Sequence, residues 1–94
     1  MDQNARRQPD LVAVDAVKAI LRKLIGEVSK IDPETITDSS TLDQDIPLPS
    51  IAFVELQVAV EETFGIELDP VEVIERNTFA GVAELIADKV RLGS

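Results

Sequence analysis

Ser50 is the residue of this sequence whose type and position most suggest chemistry. It follows Pro47 and Pro49, which keep the approach extended and disfavour a helix, so Ser50 is predicted to be the N-cap of a helix that begins there. As a plain N-cap it would stabilise that helix by about 1 kcal/mol. A phosphodiester on its hydroxyl would instead lie at the positive end of the helix dipole, where an anionic group is favourable.

The chain offers little that would activate this serine as a catalytic nucleophile. It contains no histidine and no cysteine, which removes the commonest general base, the commonest metal ligand and every disulfide. Glu61 and Glu62 are adjacent, so their side chains diverge by about 100° on a helix and are poorly placed for paired acid and base work. The loop acids Asp38, Asp43 and Asp45 do not fit the spacing of a calcium-binding loop. We therefore expect no catalytic residues, no metal ligands and no enzyme.

The residues that follow Ser50 have the period of an amphipathic helix. Gly65 followed by Ile66 is typical of a Schellman end for that helix. The residues predicted to face inward are Phe53, Leu56, Val60 and Phe64. The residues predicted to face outward are Ile51, Glu55, Val58 and Glu62.

The charge around this helix has one sign. No lysine or arginine occurs between residues 31 and 75, a span that holds twelve acidic residues. Such a field destabilises a compact chain by self-repulsion, so we expect it to attract a basic partner. The net charge of −9 argues against nucleic acid or anionic lipid as the target.

The remaining segments predict an all-α domain. A first helix is expected after Asp10, with apolar residues at helical spacing from Leu11 to Val28. Pro33 is predicted to begin one short turn of helix. The stretch 69–72 reads as a capping box that begins a short helix, and Asn77 or Thr78 is expected to cap a final one. The expected count is three longer helices, one short helix and no strand.

Neither an export signal nor a membrane span is recognisable. The longest apolar runs have four residues, far below the roughly 20 needed to cross a bilayer. The arginine pair Arg6-Arg7 is followed by Pro9 and Asp10 and not by an apolar signal region. A cytoplasmic location is therefore expected, and a monomer is expected as a separate matter.

These residues resemble the acyl carrier and peptidyl carrier protein family. The family typically has Asp-Ser-Leu at the start of the second helix, then Val-Glu-Leu, an acidic pair and Phe-Gly-Ile. In matching register this sequence has Ser50-Ile51, Val54-Glu55-Leu56, Glu61-Glu62 and Phe64-Gly65-Ile66. Ile31-Asp32-Pro33-Glu34 and Thr78-Phe79 are also similar, so the likeness spans about residues 11–91.

The resemblance implies a four-helix bundle with a short third helix. The carrier domain would span 10–91, after a flexible N-terminus at 1–9 and before a C-terminal tail at 92–94. A phosphopantetheinyl transferase would attach 4′-phosphopantetheine from coenzyme A to Ser50, and acyl or aminoacyl groups would travel on that arm as thioesters. The partner surface for the transferase and for the loading and processing enzymes would consist of Ile51, Glu55, Val58 and Glu62.

The sequence departs from the family pattern at three positions. Pro49 replaces the usual aspartate and Pro47 a usual glycine, which favours a specialised polyketide or nonribosomal peptide pathway over fatty acid synthesis. Gln57 stands on the inward side of the helix, where the family is normally apolar. Our hypothesis is that Gln57 contacts the arm or a polar cargo; the alternative is a hydrogen bond to loop backbone. The competing function is a non-catalytic acidic helical adaptor without a prosthetic group.

Overall fold

The computed structural model of the chain describes residues 13–46 and 48–93. The predicted cap Asp10, the apolar Leu11 and the segment 1–9 lie outside the described residues, as do Pro47 and Ser94. The described residues form four α-helices and a 3₁₀ turn at Pro33–Thr35. In chain order the helices are α1 (Val14–Ser29), α2 (Ser50–Phe64), α3 (Pro70–Arg76) and α4 (Phe79–Arg91). The predicted all-α bundle with a short third helix is confirmed.

The aliphatic side chains supply the core. Helix α1 packs against both α2 and α4, and α3 packs against α4. The fully buried residues of α1 recur at a four-residue spacing, as one face of a helix requires: Val17, Leu21 and Ile25. Phe79 at the start of α4 is 0% exposed, and the guanidinium carbon of Arg22 lies 4.9 Å from its ring centroid. None of the helices within residues 13–46 and 48–93 combines the length and apolarity needed to span a bilayer.

The predicted turn and cap residues fix the helix boundaries. Asp32 caps the 3₁₀ turn through a 2.9 Å bond from the Glu34 N–H, and Thr78 caps α4 through a 3.0 Å bond from the Gly81 N–H. Gly65 ends α2 in the left-handed conformation with φ of 69°, which glycine adopts without a Cβ penalty. The N–H of Ile66 donates to the carbonyl oxygen of Glu61 at 3.2 Å, which is the outer bond of the expected Schellman end, whereas the N–H of Gly65 bonds to that same oxygen at 2.8 Å.

The capping box predicted for α3 is only half formed. Asp69 accepts the N–H of Val71 at 2.9 Å, as an N-cap should. Glu72 was expected to return to the Asp69 N–H, but its Oε1 lies 3.2 Å from Nζ of Lys89 on α4. The ion pair to a neighbouring helix takes the place of the local bond, and it ties α3 to α4.

The loop that leads to α2 docks on the junction of α3 and α4. Leu42 donates its N–H to the carbonyl oxygen of Asn77 at 2.7 Å, and Thr41 and Thr78 form an isolated antiparallel bridge. Ile46 is 2% exposed and anchors the loop in the core. The bridge between Thr41 and Thr78 is the only strand-like pairing within the described ranges 13–46 and 48–93.

Candidate functional site

Ser50 begins α2, but it is not the N-cap that the sequence predicted. Pro49 holds that position, with φ of −62° and ψ of 164°, and its carbonyl oxygen accepts the N–H of Phe53 at 2.9 Å. The backbone turns helical one residue earlier than expected, because the extended Pro49 itself holds the N-cap position. Ser50 is therefore the first helical residue. It is exposed, and within the described part of the chain its hydroxyl has no hydrogen-bond partner.

The first turn of α2 suits an anionic group on that hydroxyl. The N–H groups of Ser50, Ile51 and Ala52 precede the first intrahelical bond, which starts at Phe53, so the positive end of the helix dipole lies beside Ser50. No acidic residue stands in this first turn. Despite the acidic surroundings, a phosphate attached at this position would not face a carboxylate within its own turn.

The approach to Ser50 is held by a compact loop. Oδ2 of Asp45 accepts the backbone N–H of Thr41 at 2.9 Å and its hydroxyl at 3.1 Å. The N–H groups of Asp45 and Ile46 return to the carbonyl oxygen of Thr41 at 2.9 and 3.0 Å. The loop thus closes on itself four residues before Ser50, with Ile46 buried beneath it.

The outward face predicted for α2 is exposed along its length. The side chains of Ile51 and Val58 are 73% and 45% exposed, and Glu55 and Glu62 are exposed beside them. The structure adds Val54, which is 57% exposed and lies between Ile51 and Val58. Sequence reasoning did not select Val54, although its i+3 and i+4 relation to these two residues was visible.

Helix α3 also presents apolar side chains that the sequence analysis did not select. Val71 and Ile74 are 57% and 61% exposed, whereas Val73 is 5% exposed and packs in the core. The three-residue spacing of Val71 and Ile74 places them on one face of this helix. A helix of only seven residues gave too little periodicity to separate its inner side from its outer side.

Gln57 bonds to loop backbone, which was the alternative to contact with an arm or cargo. Its Nε2 donates to the carbonyl oxygen of Leu68 at 3.1 Å. Glu61, one turn further along α2, accepts the N–H of Leu68 through Oε2 at 2.8 Å. The role of Glu61 was missed, and the signal for it was a second polar residue four positions after Gln57. Contact between Gln57 and the arm or cargo stays a prediction.

A small apolar cavity of about 20 Å³ is lined in part by Gln57 and Leu68. That volume corresponds to roughly one water-sized sphere. Its lining includes Leu21, Leu56, Gln57, Val60, Leu68 and Val73. Elsewhere, the described ranges bring no three carboxylates together in a way that would hold a metal ion.

Comparison with known proteins gives matches over most of the chain. The family model described as the phosphopantetheine attachment site matches residues 19–86, which is more than half of the sequence. The matched span contains α2, α3 and the loop before Ser50.

The alignments with two relatives span most of this chain and most of each relative. The chain is 31% identical over 77 residues to the acyl carrier protein of Thermosynechococcus vestitus. The aligned residues cover 82% of this chain and 90% of that protein. It is 26% identical over 82 residues to polyketide-8 synthase acyl carrier protein 2 of Streptomyces avermitilis, covering 87% of this chain and 94% of that protein.

Proposed function

The chain belongs to the acyl carrier protein family, whose cofactor is a covalently attached 4′-phosphopantetheine, and from that premise we propose that the arm is attached at Ser50. The observation that carries the proposal is the exposed position of Ser50 at the first turn of α2, where its hydroxyl has no hydrogen-bond partner among the described residues. A carrier needs such a hydroxyl, because another enzyme must reach it.

Attachment needs little chemistry from this chain itself. The Ser50 hydroxyl loses its proton to the transferase, and a bond forms between its oxygen and phosphorus as the pyrophosphate bond of coenzyme A breaks and the adenosine bisphosphate leaves. The first-turn N–H groups of Ser50, Ile51 and Ala52 would then stabilise the negative phosphate. The arm supplies a terminal thiol, which a chain without cysteine lacks.

Partner enzymes are proposed to bind the outward face of α2. Glu55 and Glu62 would steer basic patches toward Ser50, and the exposed side chains of Ile51 and Val58 would dock on apolar surface. Val54 extends this apolar strip. The partners proposed are the phosphopantetheinyl transferase and the enzymes that load and process the cargo.

We further propose a specialised pathway, polyketide or nonribosomal peptide, in preference to fatty acid synthesis. Support comes from the likeness to a polyketide synthase carrier over 87% of the chain and from Pro47 and Pro49 in place of the family's usual glycine and aspartate. A cytoplasmic monomer without catalytic activity is the corresponding expectation for the protein in its host.

Intact-mass analysis of the protein isolated from its native host tests this proposal. The expected result is the chain mass plus one phosphopantetheine arm on the peptide that contains Ser50, with any remaining mass identifying a polyketide or aminoacyl cargo. A chain that lacks the arm, yet co-purifies with a basic protein, would support the acidic adaptor instead. A saturated fatty acyl cargo would contradict the specialised pathway while leaving the carrier function intact.

A further inference from the structure

Both backbone polar groups of Leu68 are bound by side chains of one helix. Gln57 donates to the Leu68 carbonyl oxygen at 3.1 Å, and Glu61 accepts the Leu68 N–H at 2.8 Å. Leu68 itself is 7% exposed. Because Gln57 and Glu61 stand one turn apart on α2, they form a two-point clamp, here called the Leu68 clamp, on the link between α2 and α3.

Glu61 also holds the start of this link through its backbone. Its carbonyl oxygen accepts the N–H of Gly65 at 2.8 Å and the N–H of Ile66 at 3.2 Å, in addition to the side-chain bond to Leu68. One residue therefore binds three N–H groups of the five-residue stretch that separates the two helices. The far end of α3 is fixed as well, because Leu42 donates to the carbonyl oxygen of Asn77 at 2.7 Å.

Part of the clamp lines the apolar interior. Leu68 and Gln57 both line the cavity of about 20 Å³, together with Leu56, Val60 and Val73. A hydrophobic chain on an arm would have a lower free energy inside this interior, since burial removes its apolar surface from water. A cavity that holds about one water cannot accept several methylene groups unless the link and α3 move away from α2.

We propose that the Leu68 clamp keeps the interior of this carrier closed to cargo, so that Gln57 and Glu61 act as specificity-determining residues for what the arm carries. With the clamp formed, cargo stays outside the bundle, where partner enzymes reach it. A closed interior favours polar or short cargo over long saturated chains. Polar or short cargo exposes little apolar surface, so its free energy rises little when it remains in water. The inference rests on the proposed arm at Ser50.

The test uses Gln57→Met and Glu61→Met, alone and combined, because methionine removes the hydrogen bonds while keeping side-chain length. Glu84→Met on α4 is the matched control, since Glu84 is exposed and its replacement changes the charge by the same amount as Glu61→Met. The first readout needs no arm: amide hydrogen exchange of Leu68 in the unmodified chain, followed by NMR. Glu61→Met is expected to accelerate this exchange about tenfold or more, with core amides such as Ile86 unchanged. Unchanged exchange at Leu68 would overturn the clamp.

The second readout compares the methyl resonances of Leu56, Val60, Leu68 and Val73 before and after an octanoyl group is placed on the arm. In the wild-type chain they should stay in place, whereas in the double variant they should shift as the chain enters. Large shifts in the wild type, or none in the double variant, would overturn the proposal. If the double variant fails to fold, Gln57→Met takes its place. Methyl shifts on octanoylation of that variant would then support the proposal, and their absence would overturn it.

These readouts separate the two inferences. If intact mass shows that Ser50 accepts no arm, the proposed attachment fails, and Leu68 exchange still decides whether the clamp exists. If the arm loads and wild-type methyl groups shift with octanoylation, the proposed closure of the interior fails and the attachment stands.

Discussion

The backbone N–H of Phe79 donates to the carbonyl oxygen of Ser40 at 2.8 Å, which fixes the loop before Ser50 to the first residue of α4. Phe79 is 0% exposed, so the loop is tied to one of the most deeply buried positions in the chain. The N–H of Ala80 adds a second bond of 3.1 Å, to the carbonyl oxygen of Asp38. The position of Ser50 therefore depends on the packing of α4 as well as on α2.

Replacing Ile46 with alanine should loosen this loop. Ile46 is 2% exposed, and its truncation should lower the free energy of unfolding by about 2–5 kcal/mol, because it leaves a cavity under the loop. Chemical denaturation followed by circular dichroism measures the change. Ile51→Ala, at a residue that is 73% exposed, is the control and should stay within about 0.5 kcal/mol of the wild type. Equal losses for the two variants would show that Ile46 does not anchor the loop.

Removal of the Thr78 hydroxyl should weaken the start of α4. Thr78→Ala deletes the acceptor of the Gly81 N–H and is expected to cost about 1 kcal/mol of unfolding free energy. Thermal unfolding of Thr78→Ala beside Thr63→Ala, an exposed threonine within α2, gives the comparison. A Thr78→Ala chain as stable as the control would mean that the cap contributes nothing measurable.

Charge reversal on α2 should slow partner binding. The double variant Glu55→Lys/Glu62→Lys places two positive charges on the proposed partner face and should lower kcat/KM of a phosphopantetheinyl transferase by about tenfold at low salt. The loss should shrink as salt screens the field. Glu27→Lys/Glu84→Lys, at exposed positions on α1 and α4, makes the same change in net charge, from −9 to −5. Equal losses in both double variants would assign the effect to net charge and not to this face.

The sequence predicted the elements whose signals are local. Proline at the first helical position located the 3₁₀ turn and α3, and Gly65 located the end of α2, because each acts on the backbone of its own segment. The inner face of α2 followed from spacing alone. The N-cap was misplaced by one residue because an extended proline can hold that position without a side-chain bond.

The contacts that the sequence could not predict join residues far apart in the chain. Glu72 forms an ion pair with Lys89 where a local capping box was expected, since a pattern within one segment carries no information on an ion pair between helices. The pairing of Gln57 and Glu61 with Leu68 depends on how the link folds back on α2. Gln57 could be identified as an inward polar residue, but its partner could not.

Incubation with coenzyme A and a broad-specificity phosphopantetheinyl transferase, followed by intact-mass measurement, tests the central claim most directly. The wild-type chain should gain the mass of one phosphopantetheine arm, and Ser50→Ala should gain none, because Ser50 supplies the oxygen that bonds to phosphorus. Ser39→Ala, an exposed serine in the preceding loop, should be modified like the wild type. A folded wild-type chain that gains no mass, or a Ser50→Ala chain that gains as much as the wild type, would contradict attachment at Ser50.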